Sequence, residues 1–392
     1  MVLKRYSDKI SFILAELFNK CVLSGVFPAT LKTAIVTPIF KEGKIEEYSN
    51  YRPISILSLL SKIFEKLISM RITSFFNEHQ IINPEQHGFI AQSSCEDAVQ
   101  HLNEHALFEL DSGKKVLTIF LDLKKAFDTV PHDRLILKLE KMGTRGAENR
   151  FIKSFLQDRC QRVRTGDIQG DMLSITHGVP QGSVLGPLLF NAYINDIFLQ
   201  DQNSKMIAYA DDTSITLSAN TVDELYAKSN IVMNKIYAWL SNNGLALNTT
   251  KTKIIKYSFR NDTNITEQPH WNVKIHDESC SGTNLSSCDC PTIEHVTSVR
   301  YLGVMIDKNF SWKIHIQRTV NKVRFGLFIL KKMAFVASFQ FGLCCILPIS
   351  KKVVLCFYSI SPAVLSVGLW WYIHHSGEFC NRYSLFKKER YV

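Results

Sequence analysis

A chain of 392 residues with 46% hydrophobic and 21% charged residues can bury a large core, which excludes a small disulfide-stapled module and a disordered chain. Its formal charge of +10 favours a polyanionic partner such as nucleic acid or an acidic membrane surface. The ten cysteines stand mostly alone inside apolar runs, and they predict reduced thiols in an intracellular compartment.

The N-terminal segment, residues 1–21, alternates apolar and charged residues at helical spacing and predicts an amphipathic helix. Helical periodicity is clearest in residues 58–79 and in residues 222–244, where Gly244 is the expected residue just past the helix end. Strand composition marks residues 34–40, 116–123, 206–210 and 253–259. Together these segments predict an α+β protein.

Three later stretches depart from this alternation. Residues 260–295 are rich in Asn, Thr, Ser and Cys and predict a surface excursion between two strands. Beyond Trp312 the chain turns basic and helical, which predicts the start of a C-terminal helical domain. Residues 353–373 are nearly free of charge and about long enough to span a bilayer, but Pro362 at their centre favours a buried helix pair over a transmembrane span.

Acidic residues follow two of the predicted strands. Asp122 ends the apolar run IFLD, and Asp211 and Asp212 follow MIAYA. If residues 206–210 and 213–217 pair as a hairpin, these two residues occupy its turn, and beside the Asp122 strand they would form one acidic site. Three carboxylates so close require a cation, for which Mg²⁺ is the natural choice, and two such ions serve phosphoryl transfer. The alternative is a solvated turn, with Asp122 as a helix cap.

The motifs DLKKAFDTV (122–130), GVPQGSVLGP (178–187) and YADD (209–212) occur in this order. They resemble the reverse transcriptases of non-long-terminal-repeat retrotransposons, particularly jockey-like LINE elements. The resemblance implies a right-hand polymerase with an antiparallel palm sheet that carries the acids. It divides the chain into an N-terminal helix and fingers (1–117), a palm with interleaved fingers elements (118–308) and a helical, incomplete thumb-like region (309–392), with a reverse transcriptase domain at about 32–305.

The resemblance also assigns catalytic roles. Asp122 and Asp211 would be metal ligands, Asp212 would support them, and the ions would be two Mg²⁺, with Mn²⁺ as the alternative. Lys251 would protonate the departing pyrophosphate, with Lys253 as its rival, although solvated lysines are the commoner case. Asp128 is expected to cap the helix that begins near Pro131.

Substrate contacts follow from the same resemblance. Lys41 and Arg52 would hold the triphosphate, although a solvated surface charge is the commoner fate of either residue type. Phe127 would exclude a 2′-OH unless it only packs in the core, and Gln181 would bind the nucleotide. The remaining matches would contact template or primer: Gly178 and Gly182 in the glycine-rich loop, Tyr209 at the primer end, and Tyr301 and Gly303 in a primer grip at residues 299–307. For Tyr209 the alternative is an ordinary aromatic residue of a strand.

The implied activity is RNA-directed DNA synthesis, in which dNTPs extend a primer 3′-OH on an RNA template. Element RNA and genomic target DNA would be further partners in the nucleus or cytoplasm, with neither a small-molecule cofactor nor a membrane. Because no endonuclease segment precedes Met1 and no ribonuclease H segment follows Val392, the alternative is a truncated, inactive remnant that at most binds nucleic acid.

The excursion carries Cys280, Cys288, Cys290 and His295. Their spacing, C-x7-C-x-C-x4-H, is not a standard zinc spacing, so ordinary thiols are the favoured interpretation and a metal site is the alternative.

Overall fold

The computed structural model describes residues 5–41, 43–258, 271–276, 280, 288 and 290–340. Its contacts divide the chain into two compact units, Met1–Val296 and Thr297–Val392. The limits given above for fingers, palm and thumb stay predictions, because a division by contacts does not test them.

The first unit contains both helices and strands, which confirms the α+β class. Its helices are α1 (Ser7–Ser24), α2 (Leu59–Glu78), α3 (Cys95–Asp111), α4 (Ala126–Thr129), α5 (His132–Lys141), α6 (Gly146–Leu156), α7 (Gly186–Ile194) and α8 (Val222–Asn242). Its strands are β1 (Thr33–Phe40), β2 (Tyr51–Ile56), β3 (Lys115–Leu121), β4 (Leu123–Lys124), β5 (Arg159–Thr165), β6 (Ile168–Gln169), β7 (Leu173–Ile175), β8 (Lys205–Tyr209), β9 (Asp212–Ala219), β10 (Ala246–Leu247), β11 (Lys253–Lys256) and β12 (Glu294–His295).

A five-stranded sheet in the order β12-β11-β3-β9-β8 forms the centre of this unit. β9 is antiparallel to β3, with Leu121 opposite Thr213, and it pairs with β8 as a hairpin in which Tyr209 is opposite Asp212. β11 is antiparallel to β3 on its other side. This register places the residue that follows β3 beside the β8–β9 turn.

The core lies on the two faces of this sheet. In β3, Val116, Leu117 and Ile119 have no exposed surface, as a continuous apolar run in a central strand predicts. Leu225, Met233, Ile236 and Leu240 in α8 are equally buried and recur at helical spacing, so one apolar stripe of this helix faces the sheet.

Local signals set several helix ends. Ser94 and Asp97 form a capping box at the start of α3, and the Thr221 side chain accepts a hydrogen bond from the Glu224 amide at the start of α8. Gly244 has φ +65° just past α8, as predicted for the helix end.

A second sheet in the order β2-β1-β5-β6, with β7 paired to β5, lies towards the N-terminus of the unit. β1 and β2 form an antiparallel hairpin in which Ile39 is opposite Arg52. The predicted N-terminal helix is present as α1, and Phe18 within it stacks on Phe64 of α2 with 4.1 Å between ring centroids. Aromatic packing therefore joins the N-terminal helix to α2.

The second unit begins with a hairpin of β13 (Ser298–Tyr301) and β14 (Val304–Asp307), followed by α9 (Lys313–Gln340). Its two-residue turn places Leu302 and Gly303 at positive φ, +46° and +87°, as a tight hairpin turn requires. Asp307 accepts hydrogen bonds from the amides of Ser311 and Trp312, both at 2.9 Å, which ties the hairpin to the start of the predicted basic helix.

In the described part of the chain, no helix is both long and apolar enough for a bilayer span. The segment 353–373, for which a buried helix pair was favoured over such a span, lies outside the described residues.

Candidate active site

Asp122 lies at the end of the central strand β3, and polar groups from one neighbouring segment hold it. Its amide donates to Thr252 Oγ1 at 3.3 Å and its carbonyl accepts from the Asn248 amide at 2.7 Å. Asn248 Nδ2 also donates to Asp122 Oδ2 at 3.0 Å. The chain after β10 therefore fixes both the backbone and the carboxylate of Asp122.

Asp211 and Asp212 lie at the turn of the β8–β9 hairpin, so the predicted pairing is confirmed. The turn itself consists of Ala210 and Asp211, and Asp212 is already the first residue of β9. Ala210 has φ +56°, a backbone conformation that residues with a side chain rarely adopt. The structure thus brings all three predicted acids to one edge of the central sheet.

Residues 85–88 support this turn from the open edge of β8, a role that the sequence analysis missed. Glu85 and His87 make backbone hydrogen bonds with Ala208 at 2.9 and 2.7 Å. The buried Gln86 side chain accepts from the amides of Ala210 and Gly88, both at 2.9 Å. One glutamine side chain therefore holds the strained residue of the β8–β9 turn.

Gly88 makes the closest approach to the turn. A Cβ at this position would lie 2.2 Å from the Ala210 amide nitrogen and 2.8 Å from the Tyr209 carbonyl carbon. No side chain can be accommodated at such distances from backbone atoms, so glycine is required for packing at Gly88.

The three acids repel one another electrostatically. Burial is the main cause that raises the pKa of Asp211, and Asp122 raises it further. Asp212 is exposed, but the surrounding protein removes part of its hydration, and this desolvation raises its pKa to about 6. The negative charges of Asp211 and Asp122 contribute to the same shift. The Asp211 carboxylate accepts a hydrogen bond from its own backbone amide. Among the described residues, no other residue donates a hydrogen bond to the carboxylate of Asp211 or Asp212.

Two cations face the acids from the β1–β2 hairpin. Arg52 lies in β2, and the Lys41 amide, just past β1, donates to the Asn50 carbonyl at 2.9 Å. Both side chains are exposed, and their positive charges lower the pKa values of Asp211 and Asp212. The structure therefore places both predicted phosphate ligands within electrostatic reach of the acids.

Phe127 and Tyr209 flank the acids. Phe127 is half-buried and stacks on Phe190, with 4.3 Å between ring centroids, while the exposed Phe89 lies edge-on at 6.3 Å. A hydrogen bond with Cys95, together with burial, raises the pKa of Tyr209 to about 12, so its hydroxyl stays protonated at neutral pH. The packing holds the Phe127 ring while leaving part of it open, and its role against a 2′-OH stays a prediction.

The glycine-rich loop passes between β2 and the segment that carries Phe127. A Cβ on Gly178 would lie 2.7 Å from Asp128 atoms, and one on Gly182 would lie 2.5 Å from the Ser55 carbonyl oxygen. Both glycines also have positive φ, +83° and +110°. These contacts with the protein's own backbone explain both glycines, and their predicted template contacts stay predictions.

Gln181 and Asp128 interact with each other. Gln181 Nε2 donates to Asp128 Oδ1 at 2.9 Å, and the Ser55 amide donates to the Gln181 carbonyl at 2.7 Å. The expectation that Asp128 caps the next helix was wrong, because Pro131 is the N-terminal cap residue of α5 and that position has no side-chain cap. Asp128 instead orients the side chain predicted to bind the nucleotide.

The buried Glu65 in α2 anchors the other end of this loop, and no sequence pattern indicated it. Its Oε2 accepts from Ser183 Oγ at 2.6 Å and from the Val184 amide at 2.8 Å. Its Oε1 accepts from Ser61 Oγ at 2.8 Å. Glu65 has no exposed surface, so it is a buried carboxylate with donors on both oxygens.

The two lysines proposed as proton donors differ in their contacts. Lys253 forms an ion pair with Glu294 and donates to the Thr250 carbonyl at 2.6 Å. Lys251 is exposed in the turn after Asn248, the residue that contacts Asp122, and its ammonium group has no ion-pair or hydrogen-bond partner among the described residues. These contacts favour Lys251 over Lys253.

The predicted primer-grip residues, Tyr301 and Gly303, lie in the second unit. Tyr301 is buried at the end of β13, and Gly303 completes the hairpin turn. The hairpin therefore has the predicted local form, while its contact with a primer stays a prediction.

The acid cluster can hold a divalent metal ion. It offers only carboxylate oxygens, which hard divalent cations prefer, and a bound cation would favour the charged forms of Asp211 and Asp212, which burial and the neighbouring acids disfavour. Lys41 and Arg52 add positive charge near the acids, and their predicted role in holding a triphosphate stays a prediction.

Two curated proteins are similar to most of this chain. The chain is 30% identical over 328 residues to the probable RNA-directed DNA polymerase from transposon BS of Drosophila melanogaster, covering 82% of this chain and 34% of that protein. It is 28% identical over 317 residues to the RNA-directed DNA polymerase from mobile element jockey of the same fly, covering 79% and 32%. The chain thus spans about a third of the length of these relatives.

Among solved structures, the chain is similar to the apo telomerase from Candida tropicalis, with a TM-score of 0.49 and 11% identity over 77% of this chain and 53% of that one. The model of the reverse transcriptase (RNA-dependent DNA polymerase) family matches residues 39–306, a range that contains all three acids. The chain belongs to the reverse transcriptase family, and the resemblance to its jockey-like, non-long-terminal-repeat members is confirmed.

Proposed function

We propose that this chain is an RNA-directed DNA polymerase of a mobile element, which extends a primer 3′-OH with dNTPs on an RNA template. The observation that carries the proposal is the meeting of Asp122, Asp211 and Asp212 at one sheet edge, opposite Lys41 and Arg52. Acids facing cations across an open site suit a metal-bound triphosphate better than a purely structural cluster, in which the charges would be paired directly.

Asp122, Asp211 and Asp212 would hold the metal, for which we propose two Mg²⁺ ions, with Mn²⁺ as a substitute. When bound, such ions activate the attacking hydroxyl and stabilise the departing pyrophosphate. Lys41 and Arg52 would orient the triphosphate through charge-assisted hydrogen bonds, and Lys251 would deliver a proton to the departing pyrophosphate oxygen.

The neighbouring side chains would select and position the substrate. Phe127, held against Phe190, would oppose a 2′-OH, and Gln181, oriented by Asp128, would contact the incoming nucleotide. Tyr209 would lie at the primer end, and Gly178 and Gly182 would keep the template path open. Tyr301 and Gly303 would grip the primer, and element RNA and genomic target DNA would be the natural template and priming site inside the cell.

The test is primer extension on an RNA template with Mg²⁺ and dNTPs. We compare the native chain with Asp211→Asn, and we use Asp171→Asn, which changes an exposed acid after β6, as the control. The native chain and the control should extend the primer, while Asp211→Asn should lose roughly 10³-fold or more in rate. A folded native chain without extension would overturn the proposal and favour the inactive-remnant alternative.

A further inference from the structure

Within the excursion between β11 and β12, residues 273–275 lie beside residues 291–293 and form a short ribbon. The Ile275 amide donates to the Pro291 carbonyl at 3.0 Å, and the Ile293 amide donates to the Val273 carbonyl at 2.9 Å. Val273, Ile275 and Ile293 have at most 2% of their surface exposed and belong to the main core. Both segments of the ribbon therefore pack into the hydrophobic core of the first unit.

Helix α8 holds the same ribbon through polar contacts. Asn230 Nδ2 donates to the Asn272 carbonyl and Asn230 Oδ1 accepts from the Lys274 amide, both at 2.9 Å. Trp271 Nε1 donates to Asp223 Oδ1 at 2.7 Å. These contacts hold the ribbon along residues 271–274, and His276 and Cys290 follow at its other end.

Four side chains converge at this end of the ribbon: His276, Cys280, Cys288 and Cys290. One nitrogen or sulfur atom from each lies within 4.8 Å of all the others. His276 Nδ1 is 3.4 Å from Cys280 Sγ and 3.5 Å from Cys288 Sγ. Tetrahedral zinc, with Zn–S near 2.3 Å and Zn–N near 2.0 Å, would separate such nitrogen and sulfur ligands by about 3.5 Å.

We propose that His276, Cys280, Cys288 and Cys290 bind one zinc ion that closes the excursion onto its ribbon. Three thiolates and one imidazole are a complete set for a structural zinc site, with no position left for a substrate. Sulfur ligands select zinc over the hard ion expected at the acid cluster, so the two metal sites are chemically distinct. Lys274 donates to the Cys288 carbonyl at 2.6 Å and adds positive charge beside the thiolates.

The cluster corrects the ligand set considered from the sequence. His295 is not a member, because it lies in β12 opposite Ile254 and its ring is 5.5 Å from that of Tyr226. His276, which sequence spacing did not single out, supplies the nitrogen instead. A disulfide would join only two of the three sulfurs, and it would not explain why the imidazole and the third sulfur lie beside them.

The test is the zinc content of the full chain, purified under reducing conditions or reconstituted with zinc and desalted. The native chain should hold one more zinc per chain than Cys280→Ser and Cys288→Ser. Cys160→Ser, which changes a half-buried thiol in β5, and His295→Ala should both keep the native content. Equal zinc content in the native chain and the two cluster variants would overturn the proposal.

Cobalt substitution gives a readout that does not depend on how well the variants fold. The native chain with one Co²⁺ should show intense visible bands of tetrahedral coordination and a thiolate charge-transfer band in the near ultraviolet. Octahedral cobalt bands, or a disulfide among Cys280, Cys288 and Cys290 in the chain purified without oxidation, would show that the cluster is not a zinc site. Primer extension plays no part in either measurement, so the outcome is separate from that of the proposed polymerase activity.

Discussion

Glu65 and the Asp211–Asp212 pair are carboxylates of the same folded unit in opposite surroundings. Glu65 is completely buried, and hydroxyl and amide donors approach both of its oxygens. Asp211 and Asp212 lie at a strained turn beside a third acid, and in the described part of the chain no other residue donates a hydrogen bond to their carboxylates. A buried acid whose donors are supplied by other residues of the protein stabilises the fold, whereas an acid pair that no other residue approaches with a donor suits a cationic ligand.

The largest expected effect is on activity rather than on stability, and it comes from a substitution at the β8–β9 turn. Asp211→Asn should lose roughly 10³-fold or more in primer extension. Because burial and Asp122 disfavour the charged form of Asp211, the neutral amide should leave the free energy of unfolding in chelator unchanged or raise it. Urea unfolding with EDTA measures this, and a clear loss of stability would mean that the hydrogen bond from the Asp211 amide to its own carboxylate outweighs the cost of burying that charge.

Glu65 should show the reverse balance. Glu65→Ala should lower the free energy of unfolding by about 2–4 kcal/mol, because Ser61, Ser183 and the Val184 amide lose their acceptor in a buried site. Glu65→Gln is the matched control, since an amide can still accept from the Val184 amide and donate to the Ser61 hydroxyl. If Glu65→Gln lowers the free energy of unfolding as much as Glu65→Ala does, the negative charge of Glu65 matters more than its hydrogen bonds. That charge attracts the buried Arg159 guanidinium and opposes the lowering of its pKa by burial.

Gly88→Ala tests how strongly the structure around the acids fixes their position. The added methyl group would lie 2.2 Å from the Ala210 nitrogen, so the β8–β9 turn or residues 85–88 must shift. We expect a loss of about 1–3 kcal/mol in stability and of up to about 100-fold in extension rate, because displacing a catalytic group by about 1 Å is enough for such a loss.

Gly170→Ala is the control for this change, since its Cβ would meet only the Val163 carbonyl oxygen at an ordinary 3.7 Å. A Gly88→Ala variant with native activity and stability would show that residues 85–88 do not determine the position of the turn.

The buried Glu65 and the three acids of the candidate site also differ in whether the sequence alone predicts their positions and roles. Local composition predicts the strand that ends just before Asp122 and the hairpin that carries Asp211 and Asp212. The order of the motifs along the chain then predicts the roles of the three acids. Glu65 and Gln86 act through hydrogen bonds to residues 118 and 124 positions away, and no periodicity or motif reports such a partner. Helix α2 was predicted from its period, but the period does not show that one polar residue of its buried face holds the glycine-rich loop.

The smallest effect concerns Glu109 in α3, a buried acid whose pKa shifts in the direction opposite to that of Asp212. The Ser218 hydroxyl, and then Lys114 at 2.9 Å, donate to its carboxylate and lower its pKa below the ordinary 4.5. Because the folded-state pKa is the lower one, this stabilisation is complete above pH 4.5 and is lost as the pH falls through the folded-state value.

Glu109→Gln should therefore cost about 1 kcal/mol at pH 7 and progressively less in acid. Urea unfolding at pH 7 and at acid pH measures the difference, and Glu104→Gln, which removes an exposed charge from the same helix, is the control. An equal loss of stability at both pH values would mean that Glu109 acts through packing rather than through its charge. Hydrogen-bond donors would then not distinguish Glu109 from the acids of the candidate site.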